Sequence, residues 1–412
     1  MNVNNRWFQL GASLIAMIMI ANLQYAWTLF VKPIQQGHGW KLSDIQVAFT
    51  LFILFQTWVQ PLDGWLIDRL GPRGFISAAG LLCGLGWAGM GYATTLPMLR
   101  ALYCLAGIGA AFVYSGSIGS ALKWFKDRRG LASGIMAAGF GGGTALFIPI
   151  ISSTIASRGY QTAFISTGVV QGLAILAVAQ VLRHPPADAT PSAKPVAGGV
   201  SQLGRRHYTT AEMLRTPQFY VMYTMFVLMA TGGLLVTANA GPIAQSWGYT
   251  AAALTLAASL SPIANGGSRI FWGWASDRIG RETAMAVAFL LQAVCLLLVL
   301  AVGQISGQWF AITLVLVYFT WGEIYSLFPA TAADYFGTRH ATSNYAVLYT
   351  AKGVASIIGG WVGALLFEHF GNWSVGFFGS AAMALVAAAM AVGLRAAAAT
   401  NRAPMSVPLA AK

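Results

Sequence analysis

The sequence predicts an all-α polytopic membrane protein: twelve transmembrane helices in two six-helix halves around a central cavity. Three observations carry that expectation. They are the balance of apolar to charged residues, the number of segments long enough to cross a bilayer, and a loop pattern that occurs twice.

Of the 412 residues, 57% are hydrophobic and 8% are charged. Soluble domains carry roughly 25% charged residues, so this chain has too little charge to cover a water-facing surface. The 47 glycines fit helices that approach closely through small residues. The net charge of +13 does not indicate nucleic-acid binding, because most Lys and Arg lie in short clusters between apolar runs. Residues 8–31 are too long for a signal peptide and no small-residue cleavage site follows, so they read as the first span. Cys83, Cys104 and Cys295 all fall inside apolar runs, with no metal-ligand spacing.

A membrane helix needs about 20 mostly apolar residues. Segments of that kind fall at 8–31, 44–66, 75–95, 97–121, 131–155, 162–182, 218–240, 249–275, 283–304, 308–330, 341–366 and 373–395. The longest polar stretch, 183–217, divides them into an N-terminal half (1–182) and a C-terminal half (218–412) ending in a short tail. Its "HPPADATPSAKPVAGG" reads as a flexible linker. The following "GRRHYTTAEMLRTPQF" reads as a short interfacial helix capped by Thr209 or Thr210.

With twelve spans both termini share one side. That side carries 18 of the 24 Lys and Arg; the other carries Lys32, Lys41, Arg100 and Arg158. The asymmetry predicts cytoplasmic termini and a cytoplasmic linker, in a multi-pass protein of the inner (plasma) membrane. Two cations remain, both inside spans: Arg269 and Lys352.

The runs "GWLIDRLGPR" (64–73) and "GWASDRIGR" (273–281) match at an offset of 209, and "WFKDRRGLASG" and "YFGTRHATSNY" match at 211. A duplicated unit of this size indicates a transporter with its site between the repeats. In the loop motif, Gly64 and Gly273 are expected to allow close helix approach. Asp68 and Asp277 are expected to pair with a nearby Arg, with Arg69 and Arg278 alongside. The G-x-x-x-D-R-x-G pattern, present twice, resembles the signature loop of the major facilitator superfamily, which implies that fold and a gating role for these six residues.

A cation in a span is costly and marks a function unless it is paired. The acids within spans that are candidates to bridge these cations are Asp63 and Glu323. Asp63 lies near a loop. Glu323 sits two residues from both Trp321 and Tyr325, which share a face at i, i+4. Glu323 therefore points roughly 160–200° away from them, toward a neighbouring helix. Two cations from different helices, without fixed counter-ions, suit a small anion with two charged ends: Arg holds one carboxylate bidentately and Lys acts as a point charge on the other. On the face of Lys352 lie Tyr345, Tyr349 and Ser356. Span 1 offers Gln24, Tyr25 and Trp27, and Tyr114 corresponds to Tyr325 at offset 211. Together they are expected to form an aromatic cage with hydroxyl and amide donors.

The runs "QYAWTLF", "EMLRTPQF", "NGGSRIFWGW", "FTWGEIYSLFP" and "NYAVLYTAKGVASIIGG" resemble those of the bacterial oxalate–formate antiporters. That resemblance implies carboxylate binding by Arg269 and Lys352 and a cavity lined by Tyr25, Tyr114, Trp321, Tyr325 and Tyr349. The chain departs from it at Phe140 (Tyr in the family), Tyr349 (Trp) and Glu323 (Gly). The wider monocarboxylate transporter family shares the Arg and often places an acid four residues earlier, where this chain has Asn265. The expected activity is carboxylate exchange of an oxalate/formate type by alternating access. The alternative is proton-coupled monocarboxylate symport with Glu323 as the coupling group. The expected partners are small carboxylate anions and the lipid bilayer, not nucleic acid; a monomer is expected, with no cofactor, no metal and no enzymatic activity.

Overall fold

The computed structural model describes residues 5–125, 129–183, 185, 207–337 and 339–400, with all their side chains except those at 64, 65, 68, 69, 129, 130, 133 and 398–400. Its regular elements are helices. In chain order they are α1 (Arg6–Tyr25), α2 (Trp27–His38), α3 (Leu42–Trp58), α4 (Gln60–Gly89), α5 (Leu96–Trp124), α6 (Arg129–Gly142), α7 (Ile148–Ala179), α8 (Thr210–Met213), α9 (Pro217–Ser246), α10 (Ala251–Ile279), α11 (Arg281–Ala301), α12 (Gly307–Trp321), α13 (Ile324–Phe336), α14 (Ala341–Ser356), α15 (Gly363–Phe370) and α16 (Ser374–Thr400).

Helix starts follow capping chemistry. The hydroxyls of Thr95, Thr216, Thr250 and Ser306 accept from the first-turn amides of α5, α9, α10 and α12. Thr209 caps α8 in a reciprocal box with Glu212. Residues 184 and 186–206 of the expected linker lie outside the described residues.

Among the described residues, ten helical runs are long and apolar enough to cross a membrane. The expected spans 131–155 and 162–182 both fall in one 46-residue run, Gly134–Ala179. At 1.5 Å per residue that run measures about 70 Å, twice a bilayer core of about 30 Å. It is broken at Gly159 (φ 82°, ψ 161°). The expected span 249–275 is α10, 29 residues long; Ser259, Ser261, Asn265, Ser268 and Arg269 dilute its hydropathy.

Large aliphatic side chains are exposed, and a set of polar side chains is buried within an otherwise apolar core. Leu81, Leu85, Val170, Leu173, Leu290, Val294 and Val386 are exposed, whereas Gln24, Gln46, Gln56, Asn239, Asn265 and Lys352 are buried. A patchwork of exposed aliphatics this large suits lipid, not water. The chain is an integral membrane protein.

Helices α4, α5 and α7 pack together, as do α11, α12 and α16. Close approach comes from small residues: a Cβ on Gly168 would stand 2.4 Å from the Ala88 nitrogen, and one on Gly86 2.6 Å from the Ala106 nitrogen. Gly39 and Gly71 have positive φ, and so do Gly248 and Gly280. Gly39 corresponds to Gly248, and Gly71 to Gly280, at the 209-residue offset of the repeated loop, so the repeat is present in the backbone as well as in the letters.

The helices of residues 6–179 meet those of 217–400 along α3·α14, α2·α9 and α6·α10. At the end away from loops 64–73 and 273–281, hydrogen bonds cross between the groups. Gln46 Nε2 donates to Ala238 O (2.8 Å) and Asn239 Oδ1 (3.1 Å). Thr50 Oγ1 donates to Ser356 O (3.0 Å), and the Glu368 carboxylate accepts from Ser43 N (2.9 Å) and Ser43 Oγ (2.7 Å).

Replacing Gly168 by Val forces a side chain against the α4 backbone, and overpacking of this kind costs about 1–3 kcal/mol. Gly168→Val is expected to lower the thermal midpoint of the detergent-solubilised protein by several degrees, read by fluorescence-detected size-exclusion after heating.

Candidate substrate-binding site

The site is built where helices break. The first expected span, 8–31, is two helices: α1 ends at Tyr25 and α2 starts at Trp27. The run Gly307–Phe336 breaks at Gly322–Glu323, between α12 and α13. After α14, residues Ile357–Val362 widen into a π-helix. Each irregularity sits within a few residues of an expected site side chain, as membrane transport sites on discontinuous helices require.

Lys352 on α14 is fully buried. Its Nζ donates to Gln24 Oε1 at 2.8 Å, Gln56 Oε1 at 2.9 Å and the Tyr349 hydroxyl at 3.3 Å. Three neutral oxygens thus take the place of a carboxylate. Arg269 on α10 is 4% exposed. Its Nη1 donates to the Ala137 carbonyl and its Nη2 to Asn265 Oδ1, both at 2.9 Å. Gly141 makes room for this contact: a Cβ there would lie 2.9 Å from Asn265 Oδ1 and 3.2 Å from Arg269 Nε. Neither cation meets a carboxylate among the described residues. The ion pairs found there, Arg100–Asp44 and Arg281 with Asp277 and Asp334, lie at the ends of helices.

The two cations share one ring. Arg269 Cζ is 4.4 Å and Lys352 Nζ 5.7 Å from the Tyr325 centroid, so their sum, 10.1 Å, bounds the separation of the charges. Aromatic side chains continue around them. Tyr114 stacks on Tyr349 (5.8 Å, 7°) and meets Phe140 edge-on. Tyr25 tilts against Phe140 and Tyr318, and Trp321 meets Tyr325 at 5.5 Å. Phe140 lies 5.7 Å from Lys352 Nζ. Buried donors without a protein partner collect at the same place: Gln24 Nε2, Gln56 Nε2, Trp321 Nε1, Arg269 Nε and the hydroxyls of Tyr325 and Tyr345. Buried donors are normally satisfied. A cluster of unmatched donors around two cations has the chemistry to accept an anion.

The structure gathers Arg269, Lys352, Gln24, Tyr25, Tyr114, Trp321, Tyr325 and Tyr349 into this one cluster. It corrects three expectations. Ser356 shares the helix face of Lys352, but its Oγ donates to Gly353 O (2.6 Å) and Thr50 O (3.3 Å), so it seals the contact with α3. Trp27 lies beyond the break at Ala26; its Nε1 donates to Gln46 Oε1 (3.0 Å) and its ring stacks on Tyr103. Gly273 is not a close-approach point, because a Cβ there would meet nothing within 4 Å. In the same loop Asp277 does pair with Arg281 at 2.7 Å, and Arg278 stacks over Trp274 at 3.8 Å. The side chains of Gly64, Asp68 and Arg69 lie outside the described ones. Sequence reasoning missed Gln56, although a glutamine inside "LFILFQTW" carries the same signal of a polar group at membrane depth. It also missed the Asn265 carbonyl as the acceptor for Arg269. Asp63 accepts a hydrogen bond from Ser115 Oγ and stands apart from both cations.

A family model described as the Major Facilitator Superfamily matches residues 12–240 and 221–408. The chain is 40% identical to the oxalate:formate antiporter of Oxalobacter formigenes over 391 residues, 94% of this chain and 91% of that protein. It is 27% identical to the uncharacterised MFS-type transporter YhjX of Escherichia coli (strain K12), over 85% of this chain and 86% of that one. A more distant relative is monocarboxylate transporter 12-B of Danio rerio, 23% identical over 77% of this chain and 72% of that protein. By its helical architecture, its repeated loop and these matches, the chain belongs to the major facilitator superfamily.

Proposed function

We propose that this protein is a carboxylate exchanger of the oxalate/formate type, working by alternating access, with Arg269 and Lys352 as the substrate-binding cations. One observation carries the reading: two buried cations, at most 10.1 Å apart across the Tyr325 ring, have no carboxylate partner among the described residues. A relative with 40% identity over nearly the whole chain is named for oxalate and formate. Oxalate offers one carboxylate to a bidentate guanidinium and one to an ammonium. Gln24, Tyr25, Tyr114, Trp321, Tyr325 and Tyr349 supply the remaining walls and donors.

The exchange mode follows from electrostatics. In the empty site the two like charges repel in a medium of low dielectric, and closing the site sharpens that repulsion. A bound carboxylate removes it, so the loaded carrier closes more readily than the empty one. Return without an anion is the slow path, and uptake is tied to release. Proton-coupled symport through the position four residues before Arg269 is disfavoured, because Asn265 carries no proton to exchange there and instead accepts from the guanidinium.

The architecture in this reading has twelve spans in two six-helix halves, 1–182 and 218–412. The 46-residue run divides at Gly159, and α10 supplies the further span. The paired glycines at offset 209 support the duplication. The cation asymmetry places both termini in the cytoplasm, and the loops 64–73 and 273–281 act as gating elements on that side.

In proteoliposomes preloaded with oxalate or formate, uptake of labelled oxalate is expected to exceed uptake into unloaded vesicles at least tenfold. Equal uptake without internal anion, driven by a pH gradient, refutes exchange. Lys352→Gln leaves one end of the anion unpaired, a loss of about 2–5 kcal/mol. Oxalate exchange by this variant is expected to fall at least about thirtyfold, while its elution profile and thermal midpoint stay close to wild type. Phe140→Tyr places a hydroxyl near Lys352 and adds one hydrogen bond to the anion, worth about 0.5–1.5 kcal/mol. It is expected to lower the half-saturating oxalate concentration roughly two- to twelvefold, read from the concentration dependence of exchange.

A further inference from the structure

We propose that Glu323 is a proton-binding site behind the substrate cavity, and that the break in the helix carrying Trp321 and Tyr325 closes around the anion only when Glu323 holds a proton. This rests on the anion-carrier reading above and adds a second ligand to it.

Glu323 is fully buried, and neither of its carboxylate oxygens has a hydrogen-bond donor. It occupies the turn at Gly322–Glu323, where α12 ends and α13 begins. Tyr325, on one side, lies under both cations, and Trp321, on the other, packs edge-on against Tyr325. Gly322 (φ −63°, ψ −17°) and Glu323 (φ −59°, ψ −33°) keep right-handed helical dihedrals through the turn, so at about 100° per residue Glu323 is turned to the opposite side of the segment. A change in the bend that moves the two aromatics therefore moves the carboxyl as well. The turn is also keyed to the stretch of α10 that holds Arg269: a Cβ on Gly322 would lie 2.1 Å from Ser268 Oγ, 2.7 Å from Asn265 O and 3.0 Å from Asn265 Nδ2.

The charged groups of the surrounding helices are engaged elsewhere. α9 and α12 carry none. On α10, Arg269 is held by Ala137 and Asn265 under Tyr325, Asp277 pairs with Arg281, and Arg278 stacks on Trp274. On α11, Arg281 binds Asp277 and Asp334, and Glu282 accepts from the Tyr335 hydroxyl. On α14, Lys352 binds Gln24, Gln56 and Tyr349. An ionised carboxylate enclosed at membrane depth with no donor and no counter-ion bears a large desolvation cost. One proton from bulk water, bonded to a carboxylate oxygen, removes the charge and that cost. Opening of the bend hydrates the group and lets the proton leave. Because the same proton is needed to close from either side, the anion exchange stays an exchange, but its rate follows the fraction of Glu323 that is protonated.

The test is homologous oxalate exchange in proteoliposomes with equal pH inside and outside, stepped from pH 5 to 8. The wild-type rate is expected to fall as pH rises, toward about tenfold per unit at the alkaline end, the limit for a single proton. Glu323→Gln, fixed in the neutral form, is expected to give a flat profile, and Glu323→Asp to keep the slope with a displaced midpoint. A flat wild-type profile, a sloped Gln profile or a flat Asp profile each overturns the proposal. A purely structural glutamate lowers the Gln rate without flattening it. Absence of oxalate exchange at every pH refutes the carrier reading instead. Infrared difference spectra of the purified protein then decide the proton site alone: a protonated-carboxyl carbonyl band is expected that titrates with pH in wild type and is missing in Glu323→Gln, and a spectrum without that difference overturns the site.

Discussion

The constraint on which the rest of this structure depends is the burial of two positive charges without a negative one. Lys352 and Arg269 are held by neutral oxygens: two glutamine amides and a phenol for the ammonium, an asparagine amide and a backbone carbonyl for the guanidinium. Such partners solvate a cation without cancelling its charge. The field they leave in a low-dielectric interior is what an anion meets on entering. An aspartate in place of Asn265 or Gln56 would pair the cation and remove that field. The neutrality of the ring around each charge is therefore as much a part of the site as the charges are.

The same constraint accounts for the broken helices. A continuous α-helix offers one side chain per 100° at a fixed rise, and few of its residues reach a common point. Breaks at Ala26 and at Gly322–Glu323, and the π segment that begins one residue after Ser356, release that register close to Gln24, Tyr25, Trp321, Tyr325 and Lys352. The rings of Tyr114, Tyr325 and Tyr349 then close around the cations, each contributing an apolar wall and a polar tip. Away from the site the helices regain regularity and close packing, with Gly86 and Gly168 bringing backbones into near contact. Hydrogen bonds from Gln46, Thr50 and Ser43 to Ala238, Asn239, Ser356 and Glu368 join the two helix groups at the end away from the repeated loops.

Glu323 extends the logic to the far side of one broken helix. A carboxyl beside Arg269 would have paired with it. A carboxyl turned away from it at a bend stays unpartnered, and in the proposed mechanism it senses the hydration that changes as the bend opens. In that mechanism the charge proposed to bind substrate and the charge proposed to report closure lie on opposite sides of one helix.

The sequence by itself determined the class of molecule, the repeated loop and the two cations inside apolar spans. These are properties of composition and spacing: a chain with 8% charged residues belongs in lipid, and a cation at mid-span needs a partner. The eight candidate residues read from the letters gather at one point, because helix faces follow from an intact period. Where the period fails, the letters misled. Trp27 falls beyond a break at Ala26 that no residue in "QYAWTLF" announces. Ser356 has the right face but meets the Thr50 backbone first, and Gly273 borders open space. Only the tertiary structure decided that Gln56 reaches Lys352 from another helix, that Asn265 turns its carbonyl to Arg269, and that Glu323 has no donor. Those facts depend on which helices become neighbours, and neighbours distant in sequence are selected by packing, which local spacing does not encode.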